Sequence, residues 1–253
     1  MDFLTILGLF SGIGVVYYVM ARGEITALLF NLDAFLLVFG GTFASTIITY
    51  PWSIMKMTPA AALLMFRPPK RIKPKDLIER MVALQNINIS RGVDVLLNEM
   101  NDKDDSFLKY GVRMLVEDNS SQEINENMSN ELSSVRQRHS RVISVFRSMG
   151  AYSPIFGLLG TLIGVVQVLK NLSDTNSMGQ SMAIAVTTTF YGIFGCNFIF
   201  LPIAGKLDGY SNEELTMREL VIVGILAMRE RTLPSLMQRK MERFLSEQSR
   251  LKA

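Results

Sequence analysis

The residues Ser148–Leu169, SMGAYSPIFGLLGTLIGVVQVL, form a run of 22 residues without a charged side chain. A helix needs roughly 20 apolar residues to cross a bilayer, so this run predicts a membrane-spanning helix. Three other uncharged runs have a similar length, namely Phe3–Ala21, Ala34–Met55 and Thr175–Gly205. Four such runs in 253 residues indicate an integral membrane protein with four transmembrane helices.

The composition agrees with a membrane protein. Hydrophobic residues make up 49% of the chain and charged residues 19%, whereas a soluble domain carries about 25% charge. One cysteine and one histidine exclude a disulfide scaffold and a zinc site made by this chain alone. Phosphate-binding and catalytic motifs are absent from the sequence. We therefore expect a protein that is not an enzyme, with no metal, cofactor or nucleic acid, powered by an ion gradient.

The distribution of Lys and Arg predicts the orientation. Of 26 such residues, 15 lie in Pro51–Arg147 and nine follow Gly205, while the two short loops carry only Arg22 and Lys170. Cytoplasmic loops of membrane proteins collect Lys and Arg. Both termini and the long middle segment are therefore expected in the cytoplasm.

The spans and the connecting segments divide the chain into four parts. Residues 1–55 are expected to form one transmembrane hairpin, with spans near 3–21 and 32–52. Residues 148–205 form the other, with spans near 150–170 and 178–203. Residues 56–147 form a helical cytoplasmic domain and residues 206–253 a helical cytoplasmic tail. No segment alternates polar and apolar residues with a period of two, so the predicted fold class is all-α.

Helical patterns recur along the cytoplasmic segment. Apolar residues at helical spacing predict helices over Asp76–Asn86, from Ser90 onward, and over Ser106–Glu117. Ser120, with Glu123 three residues later, is typical of a capping box. The helix that begins there is predicted to continue without a break into the third span.

Small residues line the third and fourth spans at helical spacing. They are Ser153, Gly157, Gly160 and Gly164 on the third span, and Ser181, Ala185, Thr188, Gly192 and Gly195 on the fourth. Such stripes let helix backbones approach closely in lipid. Thr161 lies beside the first stripe, and Thr187–Thr189 cluster on the second. These hydroxyls could bond their own helix carbonyls, or they could line a polar path and bind a cation such as Na⁺.

No Asp, Glu, Lys or Arg lies inside any of the four runs. Asp33 lies at the outer start of the second span, where it is predicted to be a helix N-cap. An ion relay in lipid usually depends on a buried ionisable residue. If this chain conducts ions, a partner must supply the carboxylate.

The ordered motifs of the last two spans resemble the MotA/PomA family of flagellar stator subunits, within the MotA/TolQ/ExbB proton channel superfamily. They are Pro154–Gly164 (PIFGLLGTLIG), Met182–Gly192 (MAIAVTTTFYG) and Pro202–Leu207 (PIAGKL). The outer parts agree, through Asp33 with Val38–Thr42 and through Glu213–Leu245. The chain is more remotely similar to ExbB and TolQ, which have three spans.

The resemblance implies a homopentamer around two copies of a MotB/PomB-like partner in the bacterial inner membrane. The partner's single transmembrane helix carries an Asp, and passage of H⁺ or Na⁺ past that Asp turns the ring and drives the rotor protein FliG. By position, the matched residues near the ion path are Pro154, Pro202, Thr161, Thr188, Thr189 and Lys206. The matched rotor contacts are Arg91 and Glu99, which lie eight residues apart and are therefore expected on one helical face.

The sequence also departs from the family pattern. Flagellar members often place an acidic residue three positions before the third-span proline, where this chain has Ala151. An energiser of a non-flagellar envelope or gliding machine is therefore an alternative, and a structural membrane scaffold without ion flux is another. The set Thr161, Thr188 and Thr189 resembles that of sodium-driven relatives and favours Na⁺ over H⁺.

Overall fold

The computed structural model describes residues 3–23, 30–65, 73–101, 104–170 and 175–251. All regular elements in these ranges are helical, which confirms the all-α prediction. They are α1 (Phe3–Arg22), α2 (Leu32–Thr49), α3 (Trp52–Met55), α4 (Thr58–Leu64), α5 (Pro74–Arg91), a 3₁₀ turn (Val93–Leu97), α6 (Ser106–Val116), α7 (Ser121–Lys170), α8 (Thr175–Phe194, continued by Gly195–Phe200), α9 (Leu201–Arg229) and α10 (Pro234–Leu251).

Three stretches of helix in the described ranges are long and apolar enough to cross a membrane. They lie in Leu32–Thr49, in Ser121–Lys170 and in Met178–Arg229. The apolar part of α1, Ile6–Arg22, is shorter than these three. A count of four spans therefore stays a prediction.

The helices group into two compact units. One contains Met1–Pro69 and His139–Gly209, and the other contains Lys70–Arg138 and Tyr210–Ala253. The first unit has a buried cluster of aliphatic and aromatic side chains from α7, α9 and the continuation of α8, against which residues of α2 and α3 pack; it includes Val145, Phe146, Met149, Phe200 and Ala204. The second unit has its own core, in which Met81, Met128, Met228, Met237 and Met241 are fully buried.

Two π-helical segments lie in the first unit. Leu36–Gly40 interrupts α2, and Gly195–Phe200 joins α8 to α9. The second segment has a local cause, because Pro202 lacks an N–H and its ring would clash with the carbonyl four residues earlier in a regular helix. The two segments contact each other, since a Cβ at Gly195 would lie 3.2 Å from a ring carbon of Phe39.

The predicted capping box is confirmed at the start of α7. The backbone N–H of Ser120 donates to Glu123 Oε2 at 2.8 Å, and the N–H of Glu123 donates to Ser120 Oγ at 3.2 Å. These bonds satisfy N–H groups that a helix start leaves without partners. The prediction of an unbroken helix is also confirmed, since α7 runs for 50 residues with Pro154 inside it.

Two predictions about helix ends are wrong. Asn31, and not Asp33, caps α2, because the Asn31 side-chain oxygen accepts from the N–H of Ala34 at 2.9 Å and Asp33 already lies in the first turn. No helix begins at Ser90, because α5 continues to Arg91. It ends there since Gly92 has φ 89° and ψ 169°, a conformation open essentially to glycine alone.

Candidate functional site

The predicted stripes of small residues face each other where α7 packs on α8. A Cβ added to Gly157 would lie 2.9 Å from the Thr188 carbonyl oxygen. A Cβ added to Gly192 would lie 2.8 Å from the Ser153 carbonyl oxygen and 3.1 Å from the Cα of Gly157. Side-chain carbons do not normally approach backbone atoms this closely, so only glycine permits the observed separation of the two helices.

The same contact continues along α7. A Cβ at Gly160 would meet the Thr188 side chain at 2.5 Å, and one at Gly164 would meet Ala185 Cβ at 2.5 Å. The regular spacing therefore places four small positions of one helix against the small positions of the other. This is the packing that the two stripes predicted.

Hydroxyl groups join the two helices at this contact. Ser153 Oγ donates to the Gly192 carbonyl at 3.0 Å. Thr161 Oγ1 lies 2.5 Å from Thr189 Oγ1 and 3.2 Å from each of the carbonyl oxygens of Gly157 and Ala185. Two hydroxyls and two carbonyls thus converge, and we call this set (Thr161 Oγ1, Thr189 Oγ1, Gly157 O and Ala185 O) the oxygen cluster.

Thr188 is adjacent to the oxygen cluster and shares its Ala185 carbonyl, which also accepts from Thr161 Oγ1. Its side chain is fully buried against Gly160, and its Oγ1 donates to the Ala185 carbonyl at 2.8 Å. Thr161 and Thr189 are only partly buried. The three threonines that the sequence placed in one group therefore occupy two environments, and only Thr161 and Thr189 share a hydrogen bond.

The remaining residues predicted for the ion path flank this contact. Pro154 follows Ser153 on α7, and its Cα would lie 3.1 Å from a Cβ at Gly192. Pro202 follows the second π-helical segment, and Lys206 lies one turn further along α9, where it is partly buried. The prolines thus lie near the helix contact or at an interruption of the regular helix.

Sequence reasoning missed a second group of hydroxyls, where the end of α2 meets α7. Tyr50 OH lies 2.7 Å from Ser148 Oγ and donates to the Ser144 carbonyl at 2.9 Å. Thr49 Oγ1 lies 3.0 Å from Tyr152 OH. The polar residues at the end of the second apolar run could have indicated hydrogen bonding there. Their partners lie about a hundred positions away in the sequence, so a local pattern could not identify them.

The two predicted rotor contacts lie in the other unit. Arg91 Nη1 and Glu99 Oε1 are 3.8 Å apart, with side chains 67% and 38% exposed. The expectation that they share one helical face is wrong, because Gly92 ends α5 between them. The turn that follows brings them together instead.

A second ion pair, not found from the sequence, lies beside Glu99. Arg80 Nε and Nη2 donate to the two carboxylate oxygens of Asp104 at 3.0 and 2.7 Å. Arg80 Nη2 also donates to the Glu99 carbonyl at 2.7 Å, and the N–H of Asn101 donates to Asp104 at 2.7 Å. One arginine thus holds a carboxylate and a backbone carbonyl of the same segment.

These contacts change how both groups titrate. The hydrogen bond to Asp104 raises the pKa of Arg80, against the opposing effect of burial. Burial raises the pKa of Asp104, but the hydrogen bonds from Arg80 and Asn101, with the positive charges of Arg80 and Lys109, outweigh it and leave that pKa below its ordinary value. Both groups are therefore charged at neutral pH. In the described part of the chain, no three His, Cys, Asp or Glu side chains gather where they could hold a metal ion.

Comparison with known proteins gives consistent results. The sequence model of the MotA/TolQ/ExbB proton channel family matches residues 99–220. Motility protein A of Treponema pallidum (strain Nichols) is 30% identical over 256 residues, which cover 99% of this chain and 96% of that protein. Chemotaxis protein PomA of Vibrio alginolyticus is 29% identical, covering 99% of this chain and 98% of that protein.

A solved structure is similar over the full length. It is the flagellar MotAB stator complex from Bacillus subtilis, in which one chain is 28% identical to this one with a TM-score of 0.87. The match covers 100% of this chain and 98% of that chain.

Proposed function

The chain belongs to the MotA/TolQ/ExbB proton channel family as a stator subunit that forms an ion channel with a MotB-type partner, and we propose that ion flow through this channel drives a flagellar rotor. The partner's transmembrane Asp binds the ion, and this chain surrounds it with hydroxyl and carbonyl oxygens. Relaxation of that contact after each ion passage turns the ring of subunits by one step.

The observation that carries this proposal is the oxygen cluster between α7 and α8. The spans contain no acidic residue of their own apart from Asp33 at one end. Neutral oxygens alone are weak ligands for H⁺ or Na⁺ in lipid, whereas a carboxylate beside them is a strong one. A channel built on this contact therefore needs the acidic group of the second protein.

The assembly is proposed as five copies of this chain around two copies of the partner, in the bacterial inner membrane. Four spans per chain and cytoplasmic termini agree with the excess of Lys and Arg in the middle segment and the tail. Particle symmetry in detergent tests the stoichiometry, and a stable monomer with the partner present would contradict it. Labelling of single cysteines at positions 23 and 170 tests the orientation.

Within the site, we assign Thr161 and Thr189 to the ion path and Thr188 to helix packing. The partly buried hydroxyls of Thr161 and Thr189 can exchange their mutual hydrogen bond for contact with an ion. Thr188 is enclosed by Gly160 and bonded to its own helix. Pro154 and Pro202 frame the two helices, and Lys206 is assigned to the inner end of the path.

Na⁺ is the proposed ion. A dehydrated Na⁺ requires several oxygen ligands at once, and the oxygen cluster brings two hydroxyls and two carbonyls together. A proton needs only one acceptor. Swimming that stops when choline replaces Na⁺ would support sodium, and swimming that depends on the proton gradient alone would contradict it.

Thr189→Val is the decisive substitution, because valine keeps the shape of threonine and removes the hydroxyl. A hydrogen bond to a charged group is worth about 1.5–3 kcal/mol, so ion flux should fall about tenfold or more. Thr189→Ser, which keeps the hydroxyl, should retain most of the flux. Thr42→Val is the matched control, because Thr42 is fully buried in α2 and its hydroxyl donates to the Val38 carbonyl of the same helix.

The flux is measured in vesicles that contain the chain together with its partner. If the protein is a structural scaffold, no variant should show ion flux. Equal flux in Thr189→Val and Thr42→Val would show that the oxygen cluster is not part of the ion path. Normal ion flux in cells without flagella would favour an energiser of another envelope machine.

The rotor contact is proposed at Arg91 and Glu99, with FliG as the rotor protein. Both side chains are exposed enough to meet charges on a partner. Exposed charges contribute little to stability but orient and select partners. Charge reversal of Glu99 should lower torque without loss of ion flux, and compensating charge reversals on the rotor should restore it.

A further inference from the structure

We infer that Arg80, held by Asp104, is a positioning residue that sets the orientation of Glu99 toward the rotor. This inference rests on the proposed function, because it takes Glu99 as a rotor contact. It identifies Arg80 and Asp104 as residues that support the rotor contact, although no motif or spacing in the sequence indicated this pair.

Glu99 lies in the segment between the 3₁₀ turn and α6. The 3₁₀ turn ends at Leu97, and α6 begins only at Ser106. Leu96 is fully buried and anchors the turn before Glu99. The N–H of Glu99 donates to the Leu96 carbonyl at 3.2 Å, so local bonds continue the turn as far as Glu99. The Glu99 carbonyl and the Asn101 N–H are bonded instead by the side chains of Arg80 and Asp104.

Arg80 supplies such contacts from a rigid helix. It lies in the middle of α5, four residues after Asp76 and close to the buried Met81. Its guanidinium donates to the Glu99 carbonyl at 2.7 Å and to both oxygens of Asp104. The planar guanidinium can make all three bonds at once, whereas an ammonium group cannot reproduce this geometry.

Asp104 closes the other side of the segment. Its carboxylate accepts the N–H of Asn101 at 2.7 Å while it binds Arg80. The side chains of Arg80 and Asp104 are only 26% and 10% exposed, in contrast to the exposed pair of Arg91 and Glu99. A shielded pair thus fixes the backbone on both sides of Met100, and the exposed carboxylate of Glu99 projects from that fixed backbone.

The arrangement makes a specific prediction about torque. Arg80 itself does not have to contact the rotor, and its effect should pass entirely through Glu99. Substitution of Arg80 should therefore lower torque in the wild-type background and have no further effect once the Glu99 charge is reversed. Residues that act through one contact show such non-additivity, with changes of about twofold or more.

The experiment measures stall torque and partner assembly of the full chain, expressed with its partner in cells that lack their own copy. The variants are Arg80→Lys, Glu99→Lys and the double substitution. Arg136→Lys is the matched control, because Arg136 forms a 3.0 Å ion pair with Glu219, on a different helix of the same unit. We expect Arg80→Lys to lower stall torque about twofold or more, with assembly with the partner equal to that of Arg136→Lys.

The outcomes separate the inference from the function on which it rests. Wild-type torque in Glu99→Lys would overturn the rotor contact itself. Reduced torque in Glu99→Lys with normal torque in Arg80→Lys would overturn only the positioning role. Equal losses caused by Arg80→Lys in both backgrounds would also overturn it, because they indicate a general structural effect.

Asp104→Asn provides an independent variant. It weakens the hydrogen bonds between residue 104 and Arg80, and it leaves the charges of Arg91 and Glu99 in place. Its torque loss should likewise disappear in the Glu99→Lys background. Failure of both Arg80→Lys and Asp104→Asn to assemble with the partner would contradict the inference, because the pair would then be needed for folding and not for orientation.

Discussion

Replacement of Gly192 by alanine tests the close approach of α7 and α8. The new Cβ would lie 2.8 Å from the Ser153 carbonyl oxygen and 3.1 Å from the Cα atoms of Gly157 and Pro154. All three neighbours are backbone atoms, so no side chain can rotate to make room. Relief requires α7 and α8 to move apart.

The magnitude follows from three contributions. Alanine is favoured over glycine in a helix by about 1 kcal/mol. Forcing an extra carbon into a filled contact costs about 1–3 kcal/mol. Separation of the helices also weakens the Ser153–Gly192 hydrogen bond, now 3.0 Å, and such bonds are worth about 0.6 kcal/mol in membrane proteins. The net expectation is a destabilisation of about 0.6–2.6 kcal/mol.

The assay is thermal unfolding of the purified complex in detergent, with ion flux measured on the same preparations. At about 3 °C per kcal/mol for a chain of this length, the midpoint should fall by about 2–8 °C. Flux should fall as well, because the oxygen cluster depends on the same helix separation. Gly205→Ala is the matched control, since nothing lies within 4 Å of a Cβ there; it should be neutral or slightly stabilising.

Equal midpoints for Gly192→Ala and Gly205→Ala would refute the reasoning, because the two substitutions differ only in what the added carbon meets. A fall in midpoint with unchanged flux would separate the packing contact from the ion path. In that case the small-residue stripes would serve packing alone.

Three further substitutions test the second unit. Gly92→Ala forces alanine into φ 89° and ψ 169°, which should cost about 1–3 kcal/mol and be visible as a lower thermal midpoint and reduced torque. Gln85→Leu removes a fully buried donor that lies 2.5 Å from the Thr232 carbonyl and should cost about 1–3 kcal/mol; Gln238→Leu, which loses only an exposed bond to Glu242, should stay within about 0.5 kcal/mol of wild type. The folded-state pKa of Asp104 is lowered, so its stabilisation is complete above the unfolded pKa of about 3.9 and is lost as pH falls through the folded pKa. The midpoint difference between wild type and Asp104→Asn should therefore shrink below about pH 4, and a constant difference would contradict the ion pair.

Local sequence patterns predicted what local physics decides. The Ser120–Glu123 capping box, the unbroken helix of α7 and the spacing of its glycines depend on residues within a few turns of each other. Each of these features is present in the structure. The spans followed in the same way from uncharged length, although the first span stays a prediction.

The features that were predicted wrongly or missed depend on a choice between two suitable residues, on a single residue that ends a helix, or on partners that are distant in the sequence. Asn31 and Asp33 are both good N-caps, and which of them caps α2 depends on where the helix begins. Gly92 broke a pattern that otherwise continued at helical spacing, so Arg91 and Glu99 were placed on one face. The Arg80–Asp104 pair was not predicted, because two charges 24 residues apart carry no periodic signal.

Taken alone, the sequence determined an all-α membrane protein whose spans lack an acid, because length, charge and helical period are properties of the chain itself. Tertiary structure alone decided which hydroxyls meet. It paired Thr161 with Thr189, enclosed Thr188, and held Glu99 through Arg80. These outcomes depend on ångström-scale separations between helices, which the packing of side chains sets and which no spacing along one helix records.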